Sequence, residues 1–367
     1  MQPSAFYSHY AAHLLAEANA TVDDGQEAAA KETSSFKRAF LTRCERDLRW
    51  ERKEYSTQRL HISLGEWDFS VRGVAIAPTN KDVFSVAAYD GIARVFKNGK
   101  KLSSVAVPKK RDISANLNST RWTCGGAKVA FGSHCKSLFV YDAETMHLHR
   151  SYHDAFFGGS DRAPLGSNNA TLTVFDLRSA EPVKQWNPHR GTVRDVCFVE
   201  GAGFGIKAKW AVSDFDAGVS RLSFQFNNEL RQHGYYNGAY AVAMPPPYFG
   251  LSRHKADYDR NRFVLAGGVG SAASFSPDGT RQEMICIPGV DEHFWKMRYN
   301  SNGTLMFLAT DNDTLELFRR NPDGTHSHLH TIVRHKDDIE DCDIALDDSY
   351  VVTASQDGTV AYITLNT

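Results

Sequence analysis

The stretch "SQDGTVAYI", residues 355–363, has the pattern of a β-hairpin, with a polar turn centred on Asp357 and Gly358 and then alternating apolar and polar residues. Six other stretches share a turn rich in Gly, Asn, Asp or Ser and a following strand that ends in an aromatic residue or Leu. These are "AYDGIARVF" (88–96), "SHCKSLFVY" (133–141), "SNNATLTVF" (167–175), "DFDAGVSRL" (214–222), "GGVGSAASF" (267–275) and "TDNDTLELF" (310–318). The chain therefore repeats one hairpin seven times.

The spacing of the hairpins indicates a β-propeller. Four of the six intervals between successive turns lie between 43 and 47 residues, and a period in the forties with several strands per unit is typical of propeller blades. One four-stranded blade buries too little apolar surface by itself, whereas blades stacked around an axis bury both faces of each sheet. The interval before the third hairpin is only 34 residues, so we expect that blade to lack about one strand.

The last repeat, "VRHKDDIEDCDIALDDSYVVTASQDGTVAYI" (333–363), resembles a complete WD40 repeat, with Tyr362 near the usual Trp. The resemblance covers about residues 60–367. It implies an all-β fold, a seven-bladed WD40-like β-propeller with a short N-terminal helical region. It also implies a buried hydrogen-bond network that is complete in the last blade and partial in the fourth, at His335, Ser355, Asp357, His189 and Asp216.

Two regions are expected along the chain, residues 1–55 as a helical N-terminal region and residues 56–367 as the propeller. The last repeat ends right after its third strand at Thr367, so another segment must supply the outer strand of that blade. The stretch "STQRLHISL" (56–64) alternates in polarity and directly precedes the first blade. Because an unpaired sheet edge is a liability, we expect this stretch to pair with the last blade and close the ring.

Residues 33–55 have the pattern of an amphipathic helix, with an apolar stripe that recurs about every four residues and a highly charged opposite face. The ending "DLRWERKEY" resembles the segment that joins an F-box to the WD repeats in F-box/WD40 proteins, although residues 1–32 contain no Leu-Pro opening of an F-box. The resemblance implies a substrate-recognition subunit of an SCF-type (cullin-RING) ubiquitin ligase, which binds a Skp1-type adaptor and cullin. The adaptor-facing side of the helix would carry Phe36, Phe40, Leu41, Leu48 and Trp50.

Aligned first strands of the blades predict a partner-binding site at the mouth of the propeller channel. The alignment on "TVRDVCF" (192–198) places one residue of each recognisable first strand at the same position: Arg72, Arg121, Arg194, Tyr240, Trp295 and Glu340. Arg and aromatic side chains are favoured at binding hot spots, and clustered Arg side chains bind phosphorylated or acidic motifs bidentately. We expect a phosphorylated or acidic peptide there; the alternative is that these are independent, partly solvated side chains.

Composition excludes several other classes. The net charge of −1 gives no general attraction to nucleic acid or membrane, and no apolar run is long enough to span a bilayer. Neither the six scattered cysteines nor the histidine clusters have metal-ligand spacing, and no nucleophile or cofactor loop stands out. We therefore expect no enzyme activity, no cofactor and no metal, and a cytoplasmic and/or nuclear protein. A general WD40 scaffold, unrelated to ubiquitin, is the alternative function.

Overall fold

The computed structural model describes residues 38, 41–62, 70–108, 116–123, 125–133, 137–153, 287, 294–321 and 324–366 and, between residues 154 and 286, the strands alone. The described residues include a helix, α1 (residues 41–51), and 26 strands. No helix among them is long and apolar enough to cross a membrane.

In chain order the strands are β1 (Tyr55–His61), β2 (Val71–Ile76), β3 (Val83–Ala88), β4 (Ile92–Lys97), β5 (Lys100–Ala106), β6 (Leu117–Trp122), β7 (Lys128–Ser133), β8 (Ser137–Asp142), β9 (Leu148–His153), β10 (Arg162–Leu165), β11 (Leu172–Asp176), β12 (Pro182–Trp186), β13 (Val193–Val199), β14 (Lys209–Asp214), β15 (Gly218–Arg221), β16 (Ala239–Ala243), β17 (Phe263–Gly267), β18 (Ser271–Phe275), β19 (Arg281–Cys286), β20 (Phe294–Tyr299), β21 (Leu305–Thr310), β22 (Thr314–Arg320), β23 (His326–Arg334), β24 (Ile339–Ile344), β25 (Tyr350–Ser355) and β26 (Thr359–Leu365).

The strands form seven antiparallel sheets, which follow one another along the chain as the blades of a propeller. Blades 1 and 2 contain β2–β5 and β6–β9, blades 3 and 4 contain β10–β12 and β13–β15, blades 5 and 6 contain β16–β19 and β20–β23, and blade 7 contains β24–β26 with β1. Six of the seven hairpin turns predicted from the sequence lead into a strand at the predicted residue, and β11 begins one residue later. The all-β propeller with a short N-terminal helix is therefore confirmed.

The ring closes between the first and last strands, as the sequence predicted. Strand β1 pairs with β26 along its whole length, from Tyr55 opposite Leu365 to His61 opposite Thr359. The outer edge of β26 is thereby covered, and residues 298 to 310 positions apart in the chain are joined by a ladder of backbone hydrogen bonds. Residues 63 and 64 of the predicted closing segment lie outside the described residues.

The first strand of each blade lies innermost, and neighbouring inner strands contact each other in the continuous order β13, β16, β20, β24, β2 and β6. Blade 3 differs. Its β10 pairs with β11 across the predicted hairpin turn and contacts β13, the inner strand of the next blade. In the other blades, the strand in this position is the second strand. The described residues of blade 3 contain no inner strand, in agreement with the short interval in the sequence.

Apolar clusters fill the spaces between neighbouring blades. Because both faces of each sheet are covered, the second strands β3, β21 and β25 are buried at every residue. Complete burial of a Val, Leu or Phe side chain stabilises the fold by about 1.5–3 kcal/mol. The backbones come especially close at Gly73, where an added Cβ would lie 2.8 Å from Ser119 Cα of the next blade, so only glycine fits there without a shift.

Candidate functional site

A β-bulge recurs at the same place in all six described inner strands, directly after the first residue of the strand. A bulge inserts one residue that is not paired with the neighbouring strand and turns its side chain away from the regular ladder. The extra residues define one end of the channel, which we call the mouth: Arg72, Asn118, Arg194, Tyr240, Trp295 and Glu340.

Five of the six residues that the sequence placed at the mouth lie at a bulge. The sixth, Arg121, does not. Leu117 pairs with Ser133 and Ser119 with Gly132, so the exposed Asn118 occupies the bulge of β6, three residues before Arg121. The spacing in the sequence contained this signal, because 19 residues separate both Trp295 from Thr314 and Glu340 from Thr359. The same distance counted back from Ser137, the residue after the blade 2 turn, ends at Asn118.

Arg121 instead lies deeper in the channel, in a network of charged side chains on its wall. Its Nη1 donates to Asp341 Oδ2 at 3.0 Å and to the carbonyl oxygen of Val74 at 3.2 Å. Burial tends to raise the pKa of Asp341, but the positive charges of Arg121, Lys296 and Arg298 outweigh it and lower the pKa. Hydrogen bonds through Arg121 and Asp341 therefore join blades 1, 2 and 7, and the charges of Lys296 and Arg298 on blade 6 act on Asp341.

Asp343, two residues further along β24, adds a second hydrogen bond to blade 1 and an ion pair to blade 6. Its Oδ2 accepts the backbone N–H of Ile76 at 2.8 Å, and its Oδ1 lies 3.6 Å from Arg298 Nε. Burial raises the pKa of Asp343 despite these contacts. The channel wall is thus a structural network between blades rather than an open set of acid and base groups.

At the mouth, Arg72 is already engaged with an acidic residue. Its Nη1 forms an ion pair with Glu340 Oε1, and its guanidinium lies over the ring of Tyr89, 4.6 Å from the centroid. The same Glu340 oxygen accepts a hydrogen bond from Gln356. A phosphate at Arg72 would therefore have to displace Glu340, and the predicted cluster of three arginines is not present because Arg121 lies elsewhere.

Acidic side chains collect beside the mouth on blades 6 and 7. Burial raises the pKa of Asp338 to about 6, assisted by the negative charges of Asp337, Glu340, Asp311 and Asp313. These five carboxyl groups make this part of the mouth acidic, although Arg334 lies 3.7 Å from one of them, Asp313. A positively charged group of a ligand fits here better than a phosphate does.

The structure brings together the three residues that the WD40 resemblance assigned to a network in blade 7. His335 is buried, with Nδ1 3.2 Å from Asp357 Oδ2 and Nε2 2.8 Å from Thr353 Oγ1. The backbone N–H of Asp357 donates to Ser355 Oγ at 3.1 Å. Burial tends to raise the pKa of Asp357, but the hydrogen bonds from His335, Thr359 and the Lys336 N–H outweigh it and hold the pKa far below its usual value.

Helix α1 packs on the opposite end of the propeller, against the turns that follow the inner strands β20 and β24. Trp50 is completely buried; its ring is 5.5 Å from that of Phe307 in an edge-on arrangement, and its Nε1 donates to the carbonyl oxygen of Asp348 at 2.9 Å. Trp50 was predicted to face an adaptor. The correction is that it belongs to the core between blades 6 and 7 and is inaccessible to a partner.

A second buried contact of α1 comes from a charged residue, Asp47. Asp47 is fully buried; its carboxylate accepts hydrogen bonds from Asn300 Nδ2 at 2.7 Å and Thr304 Oγ1 at 2.6 Å. Burial raises its pKa well above the usual value. Glu51 adds a short ion pair with Arg319 of β22, at 2.5 Å. These polar contacts orient α1 on the blade.

Of the other residues predicted to face an adaptor, Leu41 is 42% exposed and Leu48 is partly buried, whereas Phe36 and Phe40 lie outside the described residues. His189 and Asp216 of the predicted network in blade 4 also lie outside them. For Arg194 and Tyr240 the structure describes the backbone at the mouth and not the side chains.

Solved structures with the same arrangement of blades were compared with this chain. A chain of a mitotic checkpoint complex superposes with a TM-score of 0.67 at 16% identity, covering 84% of this chain and 95% of that one. The WD40 repeats of RRP9 give 0.65 at 13% identity, with 85% and 100% covered. The fold is a WD40-type propeller.

U3-55K is a further structural neighbour of this WD40-type propeller, with a TM-score of 0.63 at 12% identity and coverage of 84% and 98%. No protein-family model matches the sequence. No curated protein matches it either. Identities this low establish the fold alone, so the function has to be argued from the surfaces of this chain.

Proposed function

We propose that this chain is a non-catalytic protein-interaction scaffold, a single rigid body that binds partners at opposite ends of the propeller. The attachment of α1 carries this proposal. The helix is joined to blades 6 and 7 by the buried side chains of Trp50 and Asp47 and by the ion pair of Glu51 with Arg319. A partner bound to α1 is therefore held at a fixed distance and angle from a partner bound at the mouth. The scaffold needs no cofactor and acts in the cytoplasm or the nucleus.

The more specific proposal is a substrate-recognition subunit of an SCF-type ubiquitin ligase. It is supported by the resemblance of the α1 segment to the linker of F-box/WD40 proteins and by the rigid attachment of that helix. Affinity purification of the tagged full chain should recover a Skp1-type adaptor and a cullin. The variant Leu41→Asp, at the exposed apolar side chain of α1, should lose them, whereas Leu102→Asp, at a leucine of β5 that is 59% exposed, should retain them.

A scaffold in another multiprotein complex is the alternative. The structural neighbour described as part of a mitotic checkpoint complex favours this alternative, because it places the same fold inside a large assembly. Two results together would favour this scaffold over the ligase. The purification would recover stable partners but no adaptor or cullin, and Leu41→Asp would recover the same partners as the unchanged chain.

At the mouth, the ligand proposed from the sequence is a phosphorylated or acidic peptide. Because Arg72 pairs with Glu340 and the acidic residues lie on blades 6 and 7, such a ligand must approach from the blade 4 side, at Arg194. Changing Arg194 to Glu should abolish peptide capture without changing the melting temperature, while Lys100→Glu on β5 should have little effect. Equal losses from both variants would indicate a diffuse charge effect and contradict a specific site.

A further inference from the structure

A cleft of roughly 580 Å³ lies between α1 and the turns that follow the inner strands of blades 1 and 7. It opens on the end of the propeller opposite the mouth, and neither the sequence nor the WD40 resemblance pointed to it. Its lining residues come from the helix and from the two turns: Arg38, Thr42, Arg43, Arg46, Ala77, Pro78, Thr79, Lys81, Leu346 and Asp347.

The cleft is strongly basic on a chain whose net charge is −1. Residues 38, 42 and 46 follow one face of the helix at intervals of four. Four cationic side chains line the cleft against one carboxylate, that of Asp347. Lys81 Nζ lies 2.8 Å and Arg46 Nη1 3.6 Å from Asp347 Oδ2, so this carboxylate is shared by two cations.

Two arginines of the cleft lack a close ion pair, although the charge of Arg43 also acts on Asp348 and opposes the rise in its pKa that burial causes. Among the residues that the structure describes, Arg38 and Arg43 form no ion pair within 4.0 Å. Arg38 is exposed and Arg43 is partly buried. Arginine guanidinium groups that are positioned by a helix and are not neutralised locally are suited to bidentate binding of carboxylates.

The same cleft carries apolar surface. Leu346 is 60% exposed at the turn between β24 and β25, next to Asp347, and Pro78 and Ala77 line the opposite side. A nucleic-acid backbone would leave these apolar groups without a matching apolar surface. A peptide that combines carboxylates with an apolar side chain complements both the charge and the apolar surface.

We propose that this cleft binds an acidic segment of a partner protein, with carboxylates on Arg38 and Arg43 and an apolar side chain against Leu346 and Pro78. The inference deepens the proposed scaffold function by naming a second docking site and the chemistry of its partner. It does not depend on the mouth ligand or on the ubiquitin-ligase assignment. Its variants lie on the other end of the propeller from Arg194, so the two proposals fail or succeed separately.

The test is fluorescence anisotropy of a labelled peptide in which Glu and Asp residues surround one Leu, titrated with the full chain. Binding should weaken as the ionic strength rises from about 0.05 to 0.5 M, because the Debye length shortens. Arg43→Gln should weaken binding about tenfold, the effect of losing about 1.4 kcal/mol. The matched control Arg52→Gln, an exposed arginine of the same segment that does not line the cleft, should bind as the unchanged chain does.

Leu346→Ser provides a second variant that leaves the helix intact, and it should weaken binding several-fold. Its control is Leu102→Ser, since the two leucines are 60% and 59% exposed. The proposal is overturned if the peptide does not bind, if Arg43→Gln and Arg52→Gln lose affinity equally, or if a single-stranded oligonucleotide of the same charge binds as tightly. A melting temperature several degrees lower for Arg43→Gln, with unchanged peptide affinity, would indicate that the arginine serves the chain itself and would also overturn it.

Discussion

The two ends of the inner strands differ in how their side chains are used. At the mouth, the residues at the bulges differ in chemical type, from Arg72 and Asn118 to Trp295 and Glu340. Those whose side chains the structure describes are exposed or partly buried. At the other end, the turns after β20 and β24 receive the completely buried Trp50 and Asp47 of α1. The described mouth residues therefore form an accessible surface, whereas Trp50 and Asp47 belong to an interior that fixes the helix.

This difference implies that substitutions at the two ends should act on different quantities. Changes that remove the buried contacts of Trp50 or Asp47 at the α1 end should lower the free energy of unfolding, because they leave cavities or unsatisfied buried polar groups. Changes at the mouth should alter binding and leave stability nearly unchanged.

The largest effect is expected for Trp50→Ala. Removal of a completely buried Trp leaves a cavity beside Phe307 and an unsatisfied carbonyl at Asp348, which should cost about 3–5 kcal/mol. Chemical denaturation monitored by circular dichroism measures this loss. Leu41→Ala, on the same helix but 42% exposed, is the control and should change stability by less than about 0.5 kcal/mol; equal effects of the two variants would mean that α1 is not docked as described.

Arg121→Met should have the next largest effect, about 2–4 kcal/mol, because it leaves the buried Asp341 with fewer compensating charges. The same substitution at Asn118, an exposed mouth position, should change stability by less than about 0.5 kcal/mol. Thermal melts of the two variants therefore test the corrected alignment of β6. If Asn118→Met were the more destabilising change, Arg121 would be the mouth residue after all.

Asp348→Asn should stabilise the protein by up to about 3 kcal/mol near pH 7, since each pKa unit corresponds to about 1.4 kcal/mol. Burial raises the pKa of Asp348 from 3.8 to about 6, so between these pH values the folded state binds a proton that the unfolded state releases. The unchanged protein should accordingly lose stability as the pH rises from about 4 to 6.

The variant should show a smaller loss over this range, although Asp47, whose pKa is also raised by burial, retains part of the response. Melting temperatures measured at half-unit pH steps give the comparison. Parallel curves for the two proteins would show that Asp348 carries no pH dependence.

The smallest effect on stability is expected for Glu340→Gln at the mouth. The side chains of Arg72 and Glu340 remain partly accessible, and an ion pair of this kind contributes about 0–1 kcal/mol. The change should instead free Arg72 and strengthen capture of a phosphorylated peptide at the mouth. Isothermal titration calorimetry with phosphorylated and unphosphorylated forms of one peptide measures this. Unchanged affinity for both would place the ligand away from Arg72.

The sequence by itself determined the repeat, the positions of the hairpins and the closing strand. Turn residues and alternating polarity act over a few neighbouring residues, so β4, β8, β22 and β26 begin where the pattern predicted. The short interval before the third hairpin likewise indicated that blade 3 lacks about one strand, because fewer residues form fewer strands, and the described residues of this blade contain no inner strand. Five of the six mouth positions also followed from strand patterns alone.

Only the tertiary structure decided which side chains are accessible to a partner and which are buried. Trp50 and Leu41 belong to one amphipathic pattern, but α1 docks so that Trp50 enters the core while Leu41 remains exposed. The sequence analysis assigned no role to Asp47, and its carboxylate is buried against Asn300 and Thr304, more than 250 residues away. Local sequence sets backbone conformation, whereas burial and charge pairing depend on residues that folding brings together from distant blades.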